Sequence, residues 1–179
     1  FGGEDALMGA AGQAGYRQRF ERWDMQFDFD GVLNYPMPEG FHFVSPNEYE
    51  IDRISKCCWK GFDHEQSEGI WDHQYEQSNY LVAVAPHATM DLAAVIADEK
   101  GEYACYAGMW WTPENKLAYM EPLCTIPEYR RRGLASAALS ELYRRTKALG
   151  ATHMTGGDNG FYRAIGYQPA VKWTYWKKG

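Results

Sequence analysis

A chain of 179 residues, 45% hydrophobic and 16% aromatic, is long enough for one well-filled core and too apolar for disorder. Its formal charge of −6 excludes a general nucleic-acid binder, which needs a basic surface to neutralise phosphates. No apolar run is long enough to span a bilayer and no signal peptide is visible. A cytoplasmic protein is therefore expected, with neither nucleic acid nor membrane among its partners. The four cysteines, Cys57, Cys58, Cys105 and Cys124, lack C-x-x-C spacing and read as core-filling thiols. His64-Glu65 begins like a zinc-protease helix, but Glu68 stands in place of the second histidine, so no metal is expected.

In chain order, residues 1–38 differ from the rest. Gly2, Gly3, Gly9, Gly12 and Gly15 sit among Ala and polar residues. A short helix is expected around Tyr16 to Trp23, and Phe29 to Gly40 is a turn-rich, extended passage. This stretch reads as an N-terminal extension or linker, the tail of a domain upstream in a longer protein, with the globular domain over 39–179. Phe41 to Val44 is a short strand. Ser45-Pro46-Asn47-Glu48 has the form of a capping box, predicting a helix that runs to about Cys58. A second helix is predicted over Glu68 to Gln77. Strands follow at Tyr80 to Ala85, Leu92 to Ala97, Tyr103 to Trp111 and Leu117 to Thr125, joined by short turns as an antiparallel meander.

The spacing of Leu134, Ala138, Leu142 and Thr146 predicts a helix over Gly133 to Leu149, stopped by Gly150. A strand at Thr152 to Thr155, a short helix at Asn159 to Ile165 ended by Gly166, and a closing strand at Ala170 to Trp176 complete the order. The expected fold is α+β, with α/β layering: a mixed central sheet flanked by helices.

The junction before the long helix carries the chemistry. A strand ending at Thr125 leads through Ile126-Pro127-Glu128-Tyr129 to Arg130, Arg131, Arg132 and Gly133. Free N–H groups at a helix start favour an anion, Gly133 lets backbone approach a ligand, and Ala135 keeps the next approach point small. The stretch has neither G-x-G-x-x-G nor Gly-Lys-Ser/Thr, so it is neither a dinucleotide fingerprint nor a P-loop. By itself it also fits an ordinary basic turn.

It does match [QR]-x-x-G-x-[GA], here Arg130-x-x-Gly133-x-Ala135, and so resembles the pyrophosphate motif of the GNAT N-acetyltransferases. The passage Glu121 to Ala135 is similar to that family's cofactor strand and loop. Asn159-Gly160-Phe161-Tyr162-Arg163-Ala164-Ile165-Gly166-Tyr167 resembles its second signature, in the right order. The resemblance covers Phe41 to the C-terminus, with its motifs between Glu121 and Tyr167.

The resemblance implies transfer of an acetyl group from acetyl-CoA to a primary amine by direct attack, the amine being that of a small molecule. A peptide amine, or a non-catalytic acyl-CoA-binding module, are the alternatives. It implies that the cosubstrate is bound between two splayed parallel strands by Leu123, Cys124 and Thr125, with Arg130, Arg131, Arg132, Gly133, Leu134, Ala135 and Ser136 at the pyrophosphate and Asn159 nearby. Pro122 fits the bulge often found in that strand. Glu121 matches the family's frequent general base and equally fits a solvated strand residue. Tyr162 matches the general acid; an ordinary phenol, with pKa of about 10, holds its proton at neutral pH. Its other reading is packing. Many members carry Asn seven residues before this Tyr, where Thr155 stands here, and Asn159 also fits a helix cap. Cys124 reads as core, with an acetyl-cysteine route the lesser alternative. Trp59, Phe62, Asp63, His64, Glu65, Glu68, Trp71 and Tyr75 fall where an acceptor enters, an acidic and aromatic set suited to a cationic amine. A homodimer is the oligomer the reading allows.

Overall fold

The computed structural model describes residues 4–72 and 90–179. Its elements, in chain order, are α1 (Glu4–Gln13), β1 (Tyr16–Asp28), β2 (Phe41–Phe43), α2 (Ile51–Gly61), α3 (His64–Ser67), β3 (Ala94–Asp98), β4 (Tyr103–Thr112), β5 (Leu117–Thr125), α4 (Leu134–Ala148), β6 (His153–Gly156), α5 (Gly160–Ala164) and β7 (Gln168–Lys178). The expected helix from Glu68 is absent over 68–72, and its remainder, with the expected strand Tyr80 to Ala85, lies outside the described residues. The chain divides into two compact units, one of residues 27–156 and one of residues 1–26 with 157–179.

The larger unit is a layered α+β body. Strands run in the order β2-β3-β4-β5-β6, antiparallel up to β5 and parallel between β5 and β6. β3 and the first seven residues of β4 are buried throughout, which explains their near-continuous apolar runs. α4 packs Leu134, Ala138, Leu139 and Leu142 out of solvent, each such leucine contributing about 1.5–3 kcal/mol. Thr146, fully buried on the same stripe, donates to Leu142 O at 2.7 Å, so its hydroxyl is not left unpaired.

The capping box at Ser45 does not form. Pro46–Glu48 is one 3-10 turn, Tyr49 is extended, and α2 begins only at Ile51. Long-range bonds override the local signal: Tyr49 Oη donates to Ala93 O at 2.8 Å, and Tyr103 Oη accepts from Glu50 N at 3.3 Å. The passage after Phe29 is extended as expected, but it is not a free linker. Phe29 and Leu33 are buried. Tyr143 Oη donates to Gly31 O at 2.9 Å, and Lys147 Nζ donates to Phe29 O at 2.9 Å, so α4 holds the segment.

In the smaller unit, the helix expected at Tyr16 to Trp23 is instead a strand. β1 pairs antiparallel with β7 from Tyr16↔Lys178 to Gln26↔Gln168. Side chains pair across the two strands: Phe20 stacks on Tyr175 at 4.3 Å, and Trp173 Nε1 donates to Asp24 Oδ2 at 2.5 Å.

Candidate active site

The site in the larger unit starts from a fork. β5 and β6 pair only at Leu117↔His153 and Ala118↔Met154. At the end of that pairing, Met120 N donates to Thr155 Oγ1 at 3.3 Å, so a side chain takes over from the ladder. The sequence marks Thr155 as the end of a strand and as a departure from the second signature; its place at the fork depends on Met120, distant in the chain.

Beyond the fork, β5 keeps its partner on the other side, with Leu123↔Ala107, Cys124↔Tyr106 and Thr125↔Cys105. Ile126 N donates to Ala104 O at 3.0 Å. Antiparallel pairs alternate between bonded and non-bonded. Counting back from Ile126, Cys124 bonds toward β4, while the N–H and C=O of Leu123 and Thr125 point to the opposite edge. Arg130 Nε reaches Thr125 O from that side, at 3.2 Å.

A bulge separates this segment from the start of β5. The register shifts between Ala107 and Met109, so Gly108 faces both Glu121 and Pro122. A Cβ on Gly108 would lie 2.5 Å from Glu121 O, so only glycine fits there. The bulge anticipated from Pro122 is present, and it leaves the Glu121 side chain exposed. The Glu121–Pro122 peptide is cis.

After β5, a 3-10 turn at Pro127–Tyr129 leads to the three arginines. Arg131 (φ 61°) and Gly133 (φ 89°) are both left-handed, which turns the chain into α4. The first intrahelical bond is Ala137 N to Gly133 O. The N–H groups of Leu134, Ala135 and Ser136 therefore have no acceptor within the helix. Gly133 supplies no side-chain cap, and the first turn carries no acidic residue to compete for an anion. Left-handed turns and a helix start together make a concave set of N–H donors.

The three arginines have different surroundings. Arg130 Nη2 contacts both carboxylate oxygens of Asp63 and Gly61 O, each at 2.9 Å. Arg132 lies over the Tyr129 ring at 5.1 Å. Arg131 is exposed and has no partner among the described residues. The sequence grouped all three at the pyrophosphate; the structure gives the Arg130 side chain to the protein, and leaves Arg131 as the unengaged cation.

The acidic and aromatic residues expected near an acceptor are also largely engaged with one another. Trp59 is buried, donates to Gly69 O at 2.9 Å and stacks on His64 at 4.7 Å. His64 Nδ1 meets Glu68 Oε1 at 2.6 Å. Phe62 is exposed, Trp71 is half-buried, and Tyr75 lies outside the described residues.

In the smaller unit, Asn159 caps α5: its Oδ1 accepts from Phe161 N at 2.9 Å. Tyr162 is buried, with its ring 5.1 Å from those of Phe161 and Tyr167. A Cβ on Gly157 would come within 3.1 Å of Tyr162 Cε2, so the glycine lets this ring lie on the backbone.

The pattern of the Acetyltransferase (GNAT) family matches residues 48–167. No curated protein is significantly similar in sequence. Among solved structures, a GCN5-related N-acetyltransferase from Sphaerobacter thermophilus superposes with a TM-score of 0.67 at 15% identity, over 96% of this chain and 55% of that one. A tandem GNAT protein from the clavulanic acid biosynthesis pathway gives 0.65 at 16% identity, over 97% and 57%. The ribosomal-protein-S18-alanine N-acetyltransferase of Escherichia coli gives 0.52 at 15%, over 73% and 79%. This chain thus spans a little over half the length of the first two. At these identities the likeness is one of fold.

Proposed function

Because the chain belongs to the acetyltransferase (GNAT) family, we propose that it transfers an acetyl group from acetyl-CoA to the primary amine of a small molecule. The observation that carries the donor half is the β5 edge. Leu123 and Thr125 turn their polar backbone groups away from β4, beyond the point where pairing with β6 has ended. An extended amide-bearing chain is what such an edge hydrogen-bonds. The N–H groups of Leu134, Ala135 and Ser136, with Arg131 beside them, suit a pyrophosphate in charge and shape. Cys124 contributes only backbone position to this role, since its thiol packs against α2.

Acetyl-CoA supplies an activated thioester. In the proposed reaction Glu121 accepts, through water, the proton that the acceptor ammonium must lose before the neutral amine attacks the thioester, and Tyr162 donates its phenol proton to the departing sulfur. These two roles rest on the resemblance of the flanking motifs. The exposure of Glu121 is compatible with a water-mediated path.

The test is release of free CoA thiol across a panel of small amines, repeated with Tyr162→Phe. We expect the variant to bind acetyl-CoA as the parent does and to turn over about 10²–10⁴-fold more slowly, the scale typical of general acids. Equal turnover would remove Tyr162 from the acid role. Tight acetyl-CoA binding with no reacting amine would favour the non-catalytic module.

A further inference from the structure

Cys57 and Cys58 are adjacent in sequence and Cys124 is distant from them, yet the fold gathers all three at one contact between α2 and β5. Cys124 Sγ lies 3.9 Å from Cys58 Sγ and 3.7 Å from Cys57 O. All four cysteines are free thiols. Cys124 and Cys57 are buried, whereas Cys58 is half-buried and the least enclosed of the three. We infer that Cys58 and Cys124 form a redox-active dithiol, which low-molecular-weight disulfides convert to an internal disulfide, and that this bond weakens donor binding at β5. The second half rests on the proposed donor site; the first does not.

Geometry makes Cys58 and Cys124 the partners. The two sulfurs are already in contact and must close by about 2 Å to reach bonding distance. α2 and β5 touch closely at this point, because Gly61 has no side chain: a Cβ there would lie 2.7 Å from Cys124 Cβ and 2.9 Å from its sulfur. Exposure sets the order of steps. Cys58 loses its proton to solvent base and attacks one sulfur of the external disulfide. That S–S bond breaks, and the first small thiolate leaves and takes up a proton. Cys124, deprotonated in turn, attacks Cys58 Sγ and displaces the second small thiol. Two protein thiols are oxidised and one external disulfide is reduced to two thiols.

The electrostatics favour Cys124 for the second attack. Hydrogen bonding with Cys57 and Cys58, and the positive charge of Arg130 nearby, hold the Cys124 thiol below the usual range. The same hydrogen bonding to Cys124, together with burial, holds Cys58 above it. The first step therefore speeds up as pH rises.

The consequence for function follows from position. Cys124 sits between Leu123 and Thr125, the residues whose backbone groups face the open edge. The far end of α2 is itself tied to the arginine loop through Gly61 O. Drawing the Cys124 side chain toward α2 strains the strand between those two backbone contacts.

The experiment treats the full chain with oxidised glutathione, then alkylates and maps the peptides. Two of the four thiols should be lost, with Cys58 joined to Cys124, and dithiothreitol should restore both. Cys58→Ser should keep its remaining thiols and match the acetyl-CoA affinity of the reduced parent. Gly61→Ala, which holds α2 away from Cys124, should stop at a mixed disulfide on Cys58. The oxidised parent should bind acetyl-CoA several-fold more weakly than the reduced one. The pairing is overturned if all thiols survive, if the parent stops at the mixed disulfide, or if Cys58→Ser still loses two thiols. Equal acetyl-CoA affinity of linked and reduced protein overturns the effect on binding. A reduced protein that binds no acetyl-CoA overturns the donor-site reading instead, since the linkage is read by mass alone.

Discussion

Arg130 and Asp63 form an ion pair in which a single guanidinium nitrogen, Nη2, lies 2.9 Å from both carboxylate oxygens. The pair joins the turn after α2 to the loop before α4. Both side chains are about 40% exposed, so the ion pair alone contributes about 0–1 kcal/mol. Arg130 also donates to Gly61 O and Thr125 O. Asp63 is left-handed, with φ 61°, a conformation asparagine tolerates. Asp63→Asn should therefore cost no more than about 1 kcal/mol. Arg130→Ala, which also removes the bonds to Gly61 O and Thr125 O, should cost more, on the order of 1–2 kcal/mol, because these exposed acceptors regain water. Urea denaturation measures both, and an Asp63→Asn loss as large as that of Arg130→Ala would contradict the argument.

Gly108 and Glu121 carry the second prediction. The methyl of Gly108→Ala would meet the Glu121 carbonyl at 2.5 Å and Pro122 Cδ at 3.1 Å, both fixed groups. Backbone must shift, at a cost of about 1–3 kcal/mol. The shift falls just before Leu123, so acetyl-CoA affinity should drop as well. Gly9→Ala, where a Cβ has open space within α1, serves as the control: it should leave acetyl-CoA affinity unchanged and should not lower stability, alanine being the better helix former. A fully stable Gly108→Ala protein would show that the bulge can relax.

The long helix and the strands β4 and β5 were legible in the sequence because their signals are local: an i, i+4 apolar stripe for one, apolar runs between turns for the others. β1 was not legible. In Tyr16 to Trp23 charged and aromatic residues also fall at helical spacing, and only the distant partners Trp173 and Tyr175 select the strand. The same limit applied at Ser45, where Ala93 and Tyr103 decide what Tyr49 and Glu50 do. In the candidate site, the motif Arg130-x-x-Gly133-x-Ala135 could be read because its residues are consecutive. The engagement of Arg130 could not, since Asp63 and Gly61 come from another part of the chain. Nor did spacing reveal that Cys58 faces Cys124.

Gly133 allows a test of charge at the proposed pyrophosphate cradle. Its φ of 89° is left-handed, and the nearest atom to an added Cβ is Pro38 Cγ at an ordinary 3.7 Å. Asn and Asp have nearly the same shape and both tolerate this backbone. Gly133→Asn and Gly133→Asp should therefore cost similar stability, while only Asp places a negative charge at the helix start. Titration calorimetry should find acetyl-CoA bound several-fold more weakly by the Asp variant than by the Asn variant, the gap narrowing as salt is added. Equal affinities would argue against an anion at this position.

Asp98 provides a pH-dependent prediction. It lies at the turn from β3 to β4, where Tyr129 Oη donates to its Oδ2 at 2.8 Å and the N–H groups of Lys100 and Glu102 donate to its Oδ1 at 2.9 and 2.8 Å. The Tyr129 hydrogen bond, followed by those of the Glu102 and Lys100 backbone, holds this carboxyl below its usual range. A carboxylate whose pKa is lower folded than unfolded stabilises the fold above the unfolded value of about 3.9, and that contribution is lost as pH falls through the folded value. Asp98→Asn should thus be less stable than the parent at pH 7, and the two should converge as acid protonates the parent's Asp98. Tyr129→Phe isolates the hydroxyl, because the ring remains for Arg132 at 5.1 Å and for Phe41 at 5.1 Å. It should reproduce part of the loss at neutral pH and raise the pH at which acid unfolding begins. A stability gap between Asp98→Asn and the parent that stays constant from pH 7 into the acid range would mean that the turn is held by shape rather than by the charge on Asp98.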